Sequence, residues 1–307
     1  MSGADACAIV GDTPITDVLG DWPLKGLAAL VTKSEALGLP IFFLGVGTES
    51  LAMEWSQAVV AETLAPRVAE WSVRTEQDRR RLSELGVGQA TITVASDLAW
   101  LLGASTTDFG REIMARAGIR SDQPVLGINV QPDRRVMQQE PGFLTKLGQV
   151  LERLVGDGYQ ILIISNEVRR TEDYEAGKAL KATMANAQGV RQLPNMYFSP
   201  QQMLSLIGCC DVVLGMRYHF VLMAAVQEVP FVAITREGKL KDLCADMRWD
   251  GTVSAVGSKT DDFVEALHRV QGRRERDLLQ RQVVEMRRRA SFNGIVLARV
   301  LADSGLT

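Results

Sequence analysis

Short apolar runs, β-branched or aromatic, return along this chain between longer stretches with helical periodicity, and the alternation narrows the fold more than any other feature. Cys7 to Val10, Ile41 to Leu44, Glu70 to Val73 and Thr91 to Val94 predict four strands, and Val125 to Val130, Ile161 to Ile164, Val212 to Leu214 and Phe231 to Ile234 predict four more. Runs that are apolar throughout are buried on both faces, as in parallel sheets covered by helices. A polar patch of low periodicity, Arg120 to Pro124, separates the two sets. The reading is therefore an α/β chain of two parallel-sheet lobes, an amino-terminal lobe over 1–117 and a carboxyl-terminal lobe over 118–272, followed by a helical segment over 273–307.

A chain of 307 residues, 46% of them hydrophobic, can fill two cores. Lys plus Arg number 34 against 37 Asp plus Glu, so no overall basic field exists to hold nucleic acid or an acidic membrane. Small molecules or neutral polymers are the expected partners, with at most peripheral membrane contact. The first residues lack a charged segment followed by a long apolar one, and no window reaches the roughly 18 apolar residues of a membrane span; a cytoplasmic location is expected. The cysteines, Cys7, Cys209, Cys210 and Cys244, form no CxxC and have no nearby histidine pair. No metal site is expected, and buried free thiols suit a reducing compartment.

Local signals support the frame. Ser199-Pro200 reads as a helix N-cap followed by proline at the first helical position, with Gly208 near that helix's end. Arg273 to Arg289 reads as a helix with Leu278, Leu279, Val283 and Met286 on a packed stripe, its arginine face either solvated, the preferred reading, or a membrane-surface or acidic-ligand site.

Two segments stand where an open α/β sheet binds ligands, beyond the carboxyl ends of strands. Gly45-Val46-Gly47-Thr48-Glu49-Ser50 puts a GxG turn after a buried strand and before an expected helix. With Ser50 in place of a third glycine the dinucleotide fingerprint is broken, so a ligand loop at Gly45 and Gly47 and a plain tight turn both remain open. Gly215-Met216-Arg217-Tyr218-His219 is more informative, because an arginine and a histidine follow one strand and open an apolar helix. The arginine fork holds carboxylate or phosphate, imidazole exchanges a proton near neutral pH, and a helix amino end favours the same anion. A satisfied structural histidine fits His219 as well at this stage. Glu237 and Lys239, past the strand ending at Ile234, are either further contacts or a solvated loop. Asp97 reads as a cap for a short helix over Leu98 to Leu102, and His268, in a polar amphipathic stretch, reads as a surface residue.

Taken in order, these motifs resemble the polysaccharide pyruvyl transferase family. Gly45-Val46-Gly47, Ser72-Val73-Arg74 with Arg79 to Leu82 and Leu85-Gly86-Val87, and Ser96-Asp97-Leu98-Ala99 resemble its first lobe; Gly127-Ile128-Asn129-Val130, Gly215 to His219, Val229-Pro230-Phe231 and the loop ending in Lys239 resemble its second. The resemblance implies a GT-B-like fold of two Rossmann-like lobes, with the helical segment over 273–307 returning toward the first lobe, and transfer of a pyruvyl ketal from phosphoenolpyruvate, the donor substrate, to sugar hydroxyls of a glycan or glycolipid acceptor, with no further cofactor. It implies that His219 is the general acid or base and Arg217 the anion clamp, with Asn129, Gln131, Arg134, Gly215, Glu237, Lys239, Gly45 and Gly47 around the substrates. Two departures qualify it. Gln131 stands where many relatives carry arginine, leaving Arg134 or Arg135 to replace it, and Gly11-Asp12-Thr13 stands in place of a glycine-rich opening turn. The first lobe is thus expected to be shortened, with exposed sheet edges that favour a homo-oligomer. Competing expectations are a nucleotide-sugar glycosyltransferase of GT-B type and a non-catalytic relative acting as an assembly partner.

Overall fold

The structure, a computed structural model, describes residues 3–303 apart from 104, 132 and 237. They divide into two compact units, one drawn from Met1–Leu101 and Val284–Thr307, the other from Leu102–Val283. In chain order the first unit comprises β1 (Cys7–Val10), α1 (Trp22–Ala36), β2 (Ile41–Val46), α2 (Glu54–Ala58) running on as a π-helical stretch (Val59–Leu64), β3 (Glu70–Val73), α3 (Glu76–Glu84) and β4 (Ile92–Val94). The second follows with α4 (Asp108–Arg116), β5 (Val125–Asn129), α5 (Arg134–Gln139), α6 (Phe143–Gly156), β6 (Gln160–Ile163), α7 (Glu172–Ala182), β7 (Val190–Gln192), α8 (Pro200–Ile207), β8 (Val212–Gly215), α9 (Tyr218–Val226), β9 (Phe231–Thr235), α10 (Lys239–Asp246), β10 (Thr252–Ser254) and α11 (Thr260–Val270). Then α12 (Arg273–Ala290) carries the chain back to the first unit, which α13 (Phe292–Asp303) completes.

The first sheet is parallel in the order β1-β2-β3-β4. Its strand β2 is apolar and buried throughout because both faces are covered. Leu24, Leu27 and Val31 of α1, with Val60 and Leu64, join Phe43, Trp71 and Val73 in one core, where Phe43 and Trp71 meet edge-on at 4.5 Å. On the other face Val296 and Val300 of α13 pack with Phe42 and Leu44 of β2. Polar bonds lock the returning segment in place: Arg289 donates to the Ala95 carbonyl from Nη2 at 2.7 Å, and Asn293 Nδ2 donates to the Ser96 carbonyl at 3.1 Å. At the sheet edge β1 leaves Val10 exposed.

The second sheet is parallel and six-stranded in the order β10-β9-β8-β5-β6-β7. Numbered within the unit this is 3-2-1-4-5-6 read from its far edge, the doubly wound Rossmann order, whose reversal lies between β5 and β8. Leu147, Val150, Leu151 and Leu154 of α6 are fully or almost fully buried, as are Phe263, Ala266 and Leu267 of α11. The expected cap forms, with Ser199 and Gln202 exchanging bonds across the first turn of α8.

Two strands, β7 and β10, were not legible, since Val-Arg-Gln and Thr-Val-Ser contain no apolar run. The helix α4, placed by sequence in the first lobe, belongs with the second unit. Its contact with α8 explains why: Gly110 N donates to Ser205 Oγ at 2.9 Å, and the two backbones approach closely enough that a Cβ on Gly110 would overlap the Ser205 carbonyl oxygen and lie 2.7 Å from Cys209 Sγ. Gly110→Ala should therefore force the two helices apart and destabilise the second unit by roughly 1–3 kcal/mol; a chemical-denaturation midpoint equal to that of the wild type would show that the helices slide freely. No helix among the described residues is long and apolar enough to cross a membrane.

Candidate functional site

The reversal of strand order opens a crevice in the second unit where β5 and β8, neighbours in the sheet, send their crossovers to opposite sides. Asn129 and Gly215 are register partners at the carboxyl ends of these strands, and Met216 N donates to the Asn129 carbonyl at 3.3 Å. The strand end and the following helix are held close by Gly215, where an added Cβ would lie 2.7 Å from Val221 Cγ2. Gly215 thus serves by letting α9 pack onto β8. Arg217 occupies the N-cap position of α9 in extended conformation and supplies no side-chain cap, and its guanidinium is directed elsewhere.

That partner is Asp173, in the first turn of α7. Arg217 Nη2 donates to Asp173 Oδ1 at 2.7 Å and Nε donates to the same oxygen at 3.1 Å. Asp173 Oδ2 accepts from Asn129 Nδ2, Asn166 N and Glu167 N, each at 3.1 Å. The Asp173 side chain is 0% exposed and that of Arg217 23%, so one edge of the guanidinium is held in the protein while the residue as a whole reaches solvent. Sequence reasoning missed Asp173: with Glu172 and Glu175 it forms an acidic first turn, which reads as ordinary complementarity to a helix amino end. Nothing in its local sequence distinguishes it from its two neighbours.

His219 sits at the second position of α9, half-buried, its ring edge-on to Tyr218 at 5.2 Å. Tyr218 and Phe220 on either side are buried, so His219 is the half-open position in the first turn of a helix that otherwise packs. Two residues beyond β8 and at the start of its helix, Arg217 and His219 are placed together by construction. The β9 end adds Arg236, which the sequence reading passed over; its Nη1 pairs with Asp133 Oδ2 at 3.5 Å and ties this strand end to the loop after β5. Asp133 also caps α5, accepting from Arg135 N and Val136 N. Arg134 is exposed at the first position of α5, Gln131 is half-buried ahead of it, and Lys239 is exposed at the first position of α10. Glu237 lies outside the described residues.

In the first unit the Gly45–Gly47 turn is engaged by the protein itself. Gly45 adopts φ +60°, and an added Cβ would lie 3.3 Å from each of Asn293 Oδ1, Leu98 Cγ and the Ser96 carbonyl oxygen. The Gly45 carbonyl accepts from Arg74 Nε at 2.9 Å, Gly47 N donates to the Asp12 carbonyl at 2.8 Å, and Thr48 N donates to Asp78 Oδ1 at 2.7 Å. The expected helix does not follow at once; α2 begins only at Glu54. This is a tight packed turn, whose glycines admit Arg74 and the α13 region. Asp97 does cap the short helix after it, accepting from Ala99 N at 2.8 Å, and it also pairs with Arg74 Nε at 2.8 Å, a role hidden from sequence. His268 is half exposed, 3.8 Å from Asp157.

The arrangement in the second unit can hold an anion through guanidinium hydrogen bonds at a strand end and move a proton through an adjacent imidazole. Among the described residues no cluster of His, Cys, Asp and Glu is placed to hold a metal ion.

Comparison with known proteins bears on the fold and the family. In three dimensions the chain is similar to HepE of Anabaena in complex with UDP and glucose (TM-score 0.61, 11% identity, 91% of this chain and 76% of that one). It is similar also to MnaA of S. aureus with UDP (0.66, 10%, 100% and 78%) and to a glycosyltransferase of Rickettsia africae (0.52, 10%, 98% and 98%). At such identities the likeness establishes the fold, GT-B-like with Rossmann-like parallel sheets. No curated protein matches in sequence. The profile described as polysaccharide pyruvyl transferase matches residues 2–238, and its span takes in both sheets up to the end of β9 and every motif from the Gly45 turn to Arg217 and His219. On that match, the chain belongs to the polysaccharide pyruvyl transferase family.

Proposed function

We propose that this transferase takes its pyruvyl group from phosphoenolpyruvate and places it as a ketal on two hydroxyls of one sugar in a glycan or glycolipid precursor. The observation that carries the reading is the juxtaposition of Arg217 and His219 at the carboxyl end of β8, at the point where strand order reverses, within the span of the family match.

Phosphoenolpyruvate carries a carboxylate and a phosphate on an enol carbon, and both are anions that a guanidinium binds through paired hydrogen bonds. His219 in its imidazolium form delivers a proton to the methylene carbon, which becomes the methyl group. The positive charge that develops at the neighbouring carbon is met by one sugar hydroxyl oxygen, whose proton returns to imidazole. Phosphate then leaves with its bonding electron pair, the second hydroxyl closes the ketal, and the second hydroxyl proton departs with phosphate. One proton ends on carbon and one on phosphate, matching the two hydroxyl protons lost. Arg217 lowers the energy of charge gathering on the leaving phosphate. Lys239 and Arg134, exposed at the starts of α10 and α5, are the further cations of this rim, where Gln131 brings none.

The test is ligand-induced thermal stabilisation. Phosphoenolpyruvate at a hundred times its dissociation constant should add about 2.7 kcal/mol, and Arg217→Ala should abolish most of the shift. HepE and MnaA are described with UDP, so UDP and UDP-sugars are the competing ligands. A shift with these and none with phosphoenolpyruvate would replace pyruvyl transfer by glycosyl transfer as the activity.

A further inference from the structure

We propose that Asp173 is the positioning residue of this site, fixing the Arg217 guanidinium side-on so that its opposite end face is offered to the donor's anionic group. The identity of the donor rests on the function proposed above; the role of Asp173 does not.

A guanidinium has five N–H groups in one plane. Asp173 Oδ1 takes the Nε proton and one Nη2 proton, which leaves the Nη1 pair and the outer Nη2 proton pointing the other way. That remaining edge is the one that matches two oxygens of a carboxylate or phosphate. Arginine has long, freely rotating bonds, and an unheld side chain loses much of its freedom on binding an anion. Holding it beforehand removes that cost. Because the Asp173 carboxylate neutralises much of the arginine charge nearby, capture of the anion depends on the direction of the remaining N–H bonds more than on net charge.

Asp173 is itself immobile. Its two oxygens accept six hydrogen bonds, from Arg217 three times (Nη2 to Oδ1, and Nε shared between both oxygens), from Asn129, and from the backbone of Asn166 and Glu167, against about four lone-pair sites. The carboxylate therefore has nothing left for a ligand, which separates it from the residues that touch substrate. It joins three elements that meet at the crevice: the end of β5 through Asn129, the loop between β6 and α7 through Asn166 and Glu167, and the entry to α9 through Arg217. The same loop carries Thr171 at φ +56°, a strained conformation for a β-branched residue that persists only where surrounding contacts impose it. Ser165 Oγ in that loop and Oδ1 of Asn129, whose amide nitrogen bonds Asp173, are buried oxygens with no partner in the protein, as expected where a polar ligand completes the bonding.

The experiment compares Asp173→Asn, Arg217→Lys and the double variant for donor affinity by calorimetry, for KM and kcat, for melting temperature, and for the Arg217 Nε–H resonance by NMR. Asp173→Asn should release the Nε–H resonance and weaken donor binding roughly ten- to a hundredfold, the range for a lost bond to a charged group. In the Arg217→Lys background the same change should have little further effect. Independent, multiplying losses in the double variant, or wild-type affinity in an Asp173→Asn protein whose Nε–H bond is gone, would overturn the assignment. Should Asp173→Asn fail to fold, Asp173→Glu keeps the charge but moves the fork by one methylene; it should raise donor KM with a near-normal melting temperature, and unchanged KM would overturn the proposal. If the wild type binds UDP in place of phosphoenolpyruvate, the donor reading fails, and the same comparison made with UDP decides the role of Asp173.

Discussion

His219→Ala is expected to lower kcat by roughly a hundred- to ten-thousandfold, the usual contribution of a positioned proton-transfer group, with the fold and the donor affinity largely kept. The fold should survive because α9 is anchored by other residues: Phe220, Val221, Leu222, Ala224, Ala225 and Val226 are buried, whereas His219 is half-buried at the helix start. Donor affinity should survive because the proposed function gives the anion to Arg217. The two residues thus separate kinetically, with Arg217→Ala raising donor KM and His219→Ala acting on turnover. His219→Gln refines the test, since glutamine keeps a hydrogen bond and loses the proton transfer; it should be as slow as alanine. Near-normal turnover in both variants would place the acid elsewhere in the crevice and leave His219 as a packing residue beside Tyr218.

Much of the frame was legible because it depends on patterns that sequence carries directly. Strands buried on both faces are apolar throughout, and all eight expected strands occur, with ends shifted by a residue or two, as at Val46 where β2 outruns the expected Leu44. Arg217 and His219 were legible for the same reason: a strand end and a helix start fix where residues between them must lie. What stayed hidden depends on contacts between distant segments. Asp173 and Arg217 are 44 residues apart, Gly110 and Ser205 are 95 apart, and Arg289 reaches Ala95 across 194. No local propensity records such meetings. The Gly45 turn shows why sequence left two readings open there, because a glycine that admits a ligand and one that admits an arginine side chain look alike in sequence.

Arg74→Ala is expected to cost the first unit about 3–5 kcal/mol, the penalty for breaking a buried ion pair from one side. The Arg74 and Asp97 side chains are 5% and 4% exposed and pair at 2.8 Å, so removing the cation leaves a carboxylate in a dry site without its arginine and also strips a donor from the Gly45 carbonyl. Calorimetry should show the first unit melting on the order of 10 °C lower, and an unshifted transition would mean that the pair contributes nothing. Replacing both partners, as Arg74→Met with Asp97→Leu, should recover most of the loss, since a buried pair and apolar groups of similar volume are often equivalent in stability. If it does, the pair is kept for the geometry it imposes. Three motifs shared with the family, Gly45-Val46-Gly47, Ser72-Val73-Arg74 and Ser96-Asp97, converge on this cluster, where Asn293 of α13 also takes the Ser72 hydroxyl and donates to Ser96. Their spacing in sequence is then a record of packing at the carboxyl end of the first sheet, and the family's pattern divides by unit: in the first it specifies a scaffold, in the second it takes in the strand end and helix start that carry Arg217 and His219.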